Sequence, residues 1–501
     1  MTSIDLATVQ QDLVRRFAAP LPEFYQRRII FWYDEEREFE DQIGELSLDG
    51  VTILALTGSN TFAVKKQLCE DDLTSNFLVY DPRPFTKDDD NWLINVQLYS
   101  EEFRADLNSI WMDEMGLPAT PIIRNQVKKY RKFFRAKDRR DAVKKLGGDI
   151  SSVTQMNLAV MAALSGCGRL QPSAVLRAVL DAGLEMETNS VYQNFVNYGA
   201  DKAFWVMVAQ GTGYNEGEDT SLGRLVIHLL LTAATRTMHA DLLAGLDAFI
   251  SIPHQAYCYD FVSDWLHSQN TTKVYETARY VEQEARLPQR FSQLAVEDLV
   301  DTACFPCIDA CILISLMKEI GDHIIQAEYI RLVVEKRRTM PWYQSVASYY
   351  EGLLQVANMQ AFFAEHSAGF HTVEPHRIWQ EYTSDYYRMD TYYRLFHLCF
   401  QHSLMESHPA LDDLFKQVAD KVEGLYTHWF LGQLGQNWSD SCAENLEKYG
   451  RILEVPQQTD FYAQKVRSSE NRIFVIISDG LRYEVAASLA EDLQREMQCK
   501  V

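Results

Sequence analysis

The chain has 501 residues, 47% of them hydrophobic, and a formal net charge of −22. So much apolar side chain excludes a disordered polypeptide, and the length exceeds one compact core, so about three domains are expected. The acidic balance excludes general attraction to nucleic acid and confines any such contact to a local basic patch. The most apolar run, Leu225 to Ala234, carries His228 and is flanked by Arg224 and Arg236. It reads as a buried helix rather than a bilayer span. Met1-Thr-Ser-Ile-Asp-Leu6 does not read as a secretion signal. Nine scattered cysteines, mostly in apolar surroundings such as Leu398-Cys399-Phe400, fit the reduced thiols of a cytoplasmic protein.

An amphipathic N-terminal helix comes first. Arg28-Ile-Ile-Phe-Trp-Tyr33 then reads as a strand ending in Asp34-Glu35-Glu36, followed by a helical stretch from Arg37 to Leu46. Val51 to Leu56 is a second strand, Asn60 to Glu70 a helix, and Asn76 to Tyr80 a third strand closed by Asp81-Pro82. Strands separated by helical segments imply right-handed crossovers and a small parallel sheet. The predicted fold class is therefore α/β plus α, and the first domain, residues 1–118, is Rossmann-like or receiver-like.

Pro121 to Leu146 reads as one strongly basic helix, stopped by Gly147-Gly148. Ile123, Val127, Tyr130, Phe134 and Val143 give it an apolar face. Lys128, Lys129, Arg131, Lys132 and Arg135 form a candidate patch for nucleic acid or a protein partner. A solvated face, or pairing with the chain's own excess carboxylates, explains it equally. The helix opens an all-helical region, residues 119–460. Helices are expected at Phe204 to Gln210, Leu222 to Thr235, Ala240 to Ile250, Ile308 to Ile320 and Tyr349 to His366, and Tyr382 to Phe396 is rich in aromatics.

The last segment, residues 461–501, carries the most chemical information. Arg472-Ile-Phe-Val-Ile-Ile477 reads as a buried strand that stops at Ser478-Asp479-Gly480, with a helical stretch up to Met497. Acidic residues at such strand ends are where α/β folds place chemistry. Asp479 is a candidate ligand for Zn²⁺, Mg²⁺ or Mn²⁺, or else an N-cap, with Ser478, of the following helix. Gln498-Cys499-Lys500-Val501 reads as the approach to a further strand. The chain is thus expected to be the front part of a longer protein, ending inside its last domain.

Other constellations favour structural explanations. Cys304, Cys307 and Cys311, with His323 the nearest other ligand, read as buried small residues on one helix face. Gly211-Thr-Gly213 lacks the third glycine of a dinucleotide loop and precedes Glu216, Glu218 and Asp219, so it reads as a loop between helices. His366, His371 and His376 lie five residues apart in a predicted loop and fix no metal geometry. Asp34-Glu35-Glu36 resembles the acidic end of a receiver domain, but a following helix N-terminus suffices to explain it.

Val475-Ile-Ile-Ser-Asp-Gly-Leu-Arg-Tyr-Glu484 closely resembles the opening motif of the PglZ family, within the alkaline phosphatase superfamily. Phe31-Trp-Tyr-Asp-Glu35 with Glu38-Phe39-Glu40, Gly58-Ser-Asn-Thr-Phe62, Asp90-Asn-Trp92, and Tyr386-Tyr387 through Arg394-Leu-Phe396 are similar to PglZ proteins of type 1 BREX phage-defence systems. This resemblance covers essentially the whole chain. It implies a metal-dependent phosphohydrolase in the full-length form: a phosphatase, a phosphodiesterase or a nuclease. It also implies an alkaline-phosphatase-like α/β domain beginning at 461, a divalent metal (Zn, Mn or Mg) held in part by Asp479, and other BREX proteins as partners. Arg482 either contacts phosphate or pairs with Glu484. The nucleophile and remaining ligands are expected after Val501, so this chain alone is expected to bind no metal and to be inactive. The alternative function is a non-catalytic scaffold that docks other BREX components.

Overall fold

The computed structural model describes residues 6–35, 37, 39–83, 91–105, 107–215, 217–268, 270–322, 326–406 and 408–496. The chain divides into two compact units, Met1–Gln210 and Gly211–Val501. The layout is α/β plus α: a small parallel sheet with helices making up most of the rest.

In the first unit four parallel strands lie in the order β2-β3-β1-β4, with β1 at Ile29–Tyr33, β2 at Val51–Ala55, β3 at Asn76–Asp81 and β4 at Glu101–Phe103. β1 is continuously apolar because both faces of the sheet are covered. Side chains alternate along it. Ile30 and Trp32 face a core with Leu78, Tyr80, Phe103 and, from helix Leu6–Ala18, Val9 and Leu13. Ile29 and Phe31 face the opposite core with Phe77, Val79, Val64 and Leu68. The β1–β3 register sets Phe31 beside Val79 and Trp32 beside Tyr80.

Local chemistry overturns two expected helices. Between Arg37 and Leu46 the only helical turn among the described residues is a 3-10 turn at Ile43–Glu45. Arg37 has φ +52°, and the Asp34 carboxylate takes the Phe39 amide at 2.8 Å. A side chain that captures a backbone donor competes with helix formation. The same competition breaks Ala240 to Ile250 into 3-10 turns at Ala240–Leu243 and Asp247–Phe249. Between them Gly245 has φ +86° and donates its amide to Asp247. Conversely, β4 escapes the strand pattern because two of its three residues are glutamates.

The basic stretch forms three helices rather than one: Pro121–Lys129, Arg131–Phe134 and Lys137–Leu146. Thr120 caps the first by accepting the Ile123 amide, with Pro121 at its first turn. Tyr130 interrupts it with ψ 25° and is buried, its hydroxyl 2.7 Å from Asn157 Oδ1. The five apolar positions expected to face inward, Ile123, Val127, Tyr130, Phe134 and Val143, are all buried.

The second unit is helical. Helix Leu222–Ala234 is buried almost throughout, and no described helix is long and apolar enough to cross a membrane. Helix Cys307–Asp322 carries Asp309, which meets Arg337 of helix Ala327–Arg338 through two bonds of 2.8 and 2.7 Å. Both residues are essentially inaccessible to water. Arg337 also reaches the carbonyls of Val300 and Thr302, and Asp309 accepts the Tyr350 hydroxyl at 2.8 Å. Such a pair is costly to break from one side, because the remaining charge stays buried. Arg337→Met is expected to lower the unfolding free energy by about 3–5 kcal/mol in urea titrations. A loss below about 1 kcal/mol would show that the Asp309 carboxylate is satisfied without Arg337.

Candidate functional site

The motif around Asp479 sits in the second unit. Residues 472–477 do not form the strand expected of them: among the described residues no strand pairs with them. Phe474, Ile476 and Ile477 are 78%, 93% and 90% exposed. Apolar β-branched residues favour a pleated, half-buried surface, but a strand exists only beside a neighbour that takes its backbone bonds. Gly480 turns the chain with φ +69°. The helix begins at Tyr483 and runs to Glu496, so three residues separate it from Asp479, and neither Ser478 nor Asp479 occupies its N-cap position. Both are exposed. Residues 497–501 lie outside the described residues.

Immediately after this open segment the chain is tied down. Arg482 Nη2 lies 3.1 Å from Asp390 Oδ1, and Arg482 Nε lies 2.9 Å from Glu484 Oε1. Asp390, on helix Tyr387–Met405, is 4% exposed and also accepts the hydroxyls of Tyr382, at 2.7 Å, and Tyr426. Glu484 is 1% exposed. Its contact with Arg482 is close enough for an ion pair but poorly aligned for a hydrogen bond, and neither carboxylate oxygen has a hydrogen-bond partner among the described residues. Tyr483 adds an apolar contact. Its ring meets Tyr382 and Tyr387 edge-on or tilted, and its hydroxyl donates to the Thr383 carbonyl at 2.8 Å.

Tyr382 and Tyr426 come from π-helical stretches, Tyr382–Tyr386 and Gly424–Leu431. Burial, then the bond to Asp390, pushes both phenols well above the ordinary tyrosine value, so they stay protonated donors. The hydrogen bond with Tyr426 leads the causes that raise Arg482. Of the two roles expected for Arg482, this arrangement displays the pairing with Glu484, and adds Asp390. Neither Asp390 nor Tyr426 is prominent in the sequence. The signal available was a lone acid inside the aromatic run from Tyr386 to Phe400.

The other constellations are structural. Burial pushes the Cys304 and Cys311 thiols up to about 12 and about 11, and pushes Cys307 up as well. The three thiols belong to no group of three ligating side chains among the described residues, and His323 lies outside the described residues. His366, His371 and His376 do not converge: His366 lies 3.0 Å from Asp385, His371 bonds the Ala368 carbonyl, and His376 lies 3.5 Å from Glu454. The stretch is not one loop either, since Pro375–Glu381 is helical. No group of three metal-ligating side chains occurs among the described residues. Gly211 and Thr212 end helix Asp201–Thr212 rather than forming a loop. At β1, Asp34 is not explained by a helix N-terminus. It is buried and accepts the Tyr80 hydroxyl at 2.6 Å, while Glu35 pairs with Arg104 at 2.7 Å. Glu36, Glu38, Asp90 and Glu216 lie outside the described residues.

Lys128, Lys129, Arg131, Lys132 and Arg135 are all exposed. Lys132 Nζ donates to the Asn197 carbonyl, and Lys129 Nζ sits 4.6 Å over the Tyr130 ring. Two other basic residues of the stretch turn inward. Arg140 is buried and bonds Glu114 and the Phe134 carbonyl, and Arg139 bonds the Phe133 carbonyl and the Tyr198 hydroxyl.

No family model and no solved structure matches the chain. Two curated proteins do. It is 32% identical over 503 residues to the alkaline phosphatase-like protein PglZ of Bacillus cereus (strain H3081.97), covering 99% of this chain and 57% of that protein. It is 26% identical over 506 residues to the alkaline phosphatase-like protein BrxZ of Escherichia coli O9:H4 (strain HS), covering 97% and 57%. The chain thus spans a little over half the length of these relatives. Because the similarity runs through nearly every element, from the small sheet to the Asp479 motif, the chain belongs to the PglZ family.

Proposed function

We propose that this chain presents one metal-ligating loop of a phosphohydrolase that acts in a BREX phage-defence system. The observation that supports the reading is a contrast within the six residues from Asp479 to Glu484. Arg482 and Glu484 are spent on anchoring, whereas the Asp479 carboxylate is left exposed on a glycine turn. An exposed carboxylate beside a rigid anchor is suited to give one oxygen to a hard divalent ion.

The described donors do not by themselves fit a metal. Zn²⁺ requires about four ligands and Mg²⁺ about six, and Asp479 belongs to no group of three ligating side chains among the described residues. We therefore assign no catalytic step to these residues alone. The remaining ligands and the nucleophile belong to residues outside this chain in the reading proposed here. Purified chain with a chromogenic phosphodiester or plasmid DNA, plus Zn²⁺ or Mn²⁺, is expected to show no turnover. Metal-dependent hydrolysis that persists through purification would sink that expectation.

Asp479→Ala separates folding from function. In this chain it is expected to change stability by no more than about 0.5 kcal/mol, as at exposed sites generally. In a protein of the relatives' full length it is expected to abolish most metal-dependent hydrolysis. Wild-type hydrolysis by that variant would end the metal reading.

A second reading, a scaffold that docks other BREX components, is favoured by the exposed cations of the basic stretch. Reversing Lys128, Lys129, Arg131 and Lys132 to Glu is expected to leave the fold intact, since all four lie at the surface. If the surface tracks phosphates, duplex affinity falls and its salt dependence flattens by about 0.9 in the log–log slope for each phosphate no longer neutralised. Unchanged DNA affinity with loss of a co-purifying BREX protein would identify a protein-docking surface instead.

A further inference from the structure

We infer that Asp390 is a positioning residue for the Asp479 loop, acting through Arg482. This deepens the metal-loop reading above and rests on it. Residues 472–481 are exposed and have no strand neighbour among the described residues, so the contacts at 482–484 are what place the loop. Those contacts converge on Asp390, whose carboxylate receives Tyr382, Tyr426 and Arg482 together.

The electrostatics make this a latch with two linked halves. Asp390 and Glu484 are both removed from water, and one guanidinium stands between them. Glu484 has no hydrogen-bond donor among the described residues, so Arg482 is the compensation for its buried charge. If Arg482 leaves, the buried Glu484 carboxylate must find another donor or emerge into water, and the start of helix Tyr483–Glu496 moves with it. Both latch contacts use only Nε and Nη2 of a side chain that is 54% exposed, so the guanidinium keeps its Nη1 donors outside the latch. Tyr483, packed on Tyr382 and Tyr387, holds the segment independently of charge. Removing the Asp390 charge should loosen the ionic half without undocking the helix.

Hydrogen exchange on this chain tests the latch. Asp390→Asn keeps the shape and one acceptor oxygen but removes the charge facing Arg482, and its amide nitrogen can no longer accept from the second phenol. Exchange is expected to rise about tenfold in peptides covering 478–490 and to stay unchanged in Cys307–Asp322. Arg482→Gln, made from the half-exposed side, serves if the first variant folds poorly and should give at least the same local increase, because it also leaves Glu484 without its cation. The double variant should not exceed Arg482→Gln, because the Asp390 contact is already lost there. In a protein of the relatives' full length, Asp390→Asn is expected to raise the half-activating metal concentration about tenfold, as loss of outer support to a metal ligand does. The KM for a chromogenic phosphodiester should barely move. Exchange within twofold of wild type in both single variants, or an equal rise across the whole helical unit, would overturn the latch. Raised local exchange with an unchanged metal requirement would overturn the positioning role. Asp479→Ala in the same assay distinguishes failure of the underlying reading: if that variant hydrolyses normally, the metal assignment falls, whatever the exchange result.

Discussion

A carboxylate that cannot reach water must find its donors in the protein, and Asp390 imposes that requirement on the C-terminal part of the helical unit. Its donors come from a π-helical stretch just before its own helix, from a second such stretch, and from the motif after Gly480. Because three separate segments meet at one carboxylate, their mutual placement is set by that group more than by apolar packing, which is tolerant of small shifts. The π-helical geometry fits this role. An extra residue per turn re-aims a side chain without ending the helix, and Tyr382 and Tyr426 both use it to reach Asp390.

How far the fold could be read from the sequence depended on how local the determining interactions are. β1 and the Phe77–Tyr80 stretch of β3 announce themselves because a doubly covered parallel strand is apolar on both faces. The buried face of the basic stretch was equally plain, since its period is that of a helix. Its division into three helices was not, because Tyr130 leaves the helical path to bond Asn157, 27 residues away. The helix expected after β1 failed for a similar reason: Asp34 is committed to Tyr80, 46 residues on, and to the Phe39 amide. At the candidate site, Asp479 and Arg482 stood out through a short motif. Asp390 did not, because its partners lie 8, 36 and 92 residues away and no short spacing joins them.

The segment from 472 to 477 shows the complementary limit. Composition states what surroundings a segment prefers, not whether they are supplied. Ile476 and Ile477 are as apolar as Ile29 and Ile30, yet the first pair is exposed and the second buried. The difference is the neighbour: Ile30 lies between Leu78 of β3 and Glu101 of β4, with helices over both faces of the sheet.

The basic stretch divides its cations between interior and surface. Arg139 and Arg140 turn inward, where a planar fork can bond several carbonyls at once and stack on aromatic rings, Tyr198 for the first and Trp111 for the second. Arg131 and Arg135 stay at the surface with the lysines at 128, 144 and 145. Folding thus uses up part of the stretch's positive charge and leaves the rest displayed on a chain whose net charge is −22. A cationic surface on so acidic a molecule is selective by default, since the surrounding field disfavours any polyanion that cannot dock on that surface alone. A nucleic acid would have to follow the patch closely. An acidic protein with one complementary face would meet less opposition, because its own charge need not extend past the contact.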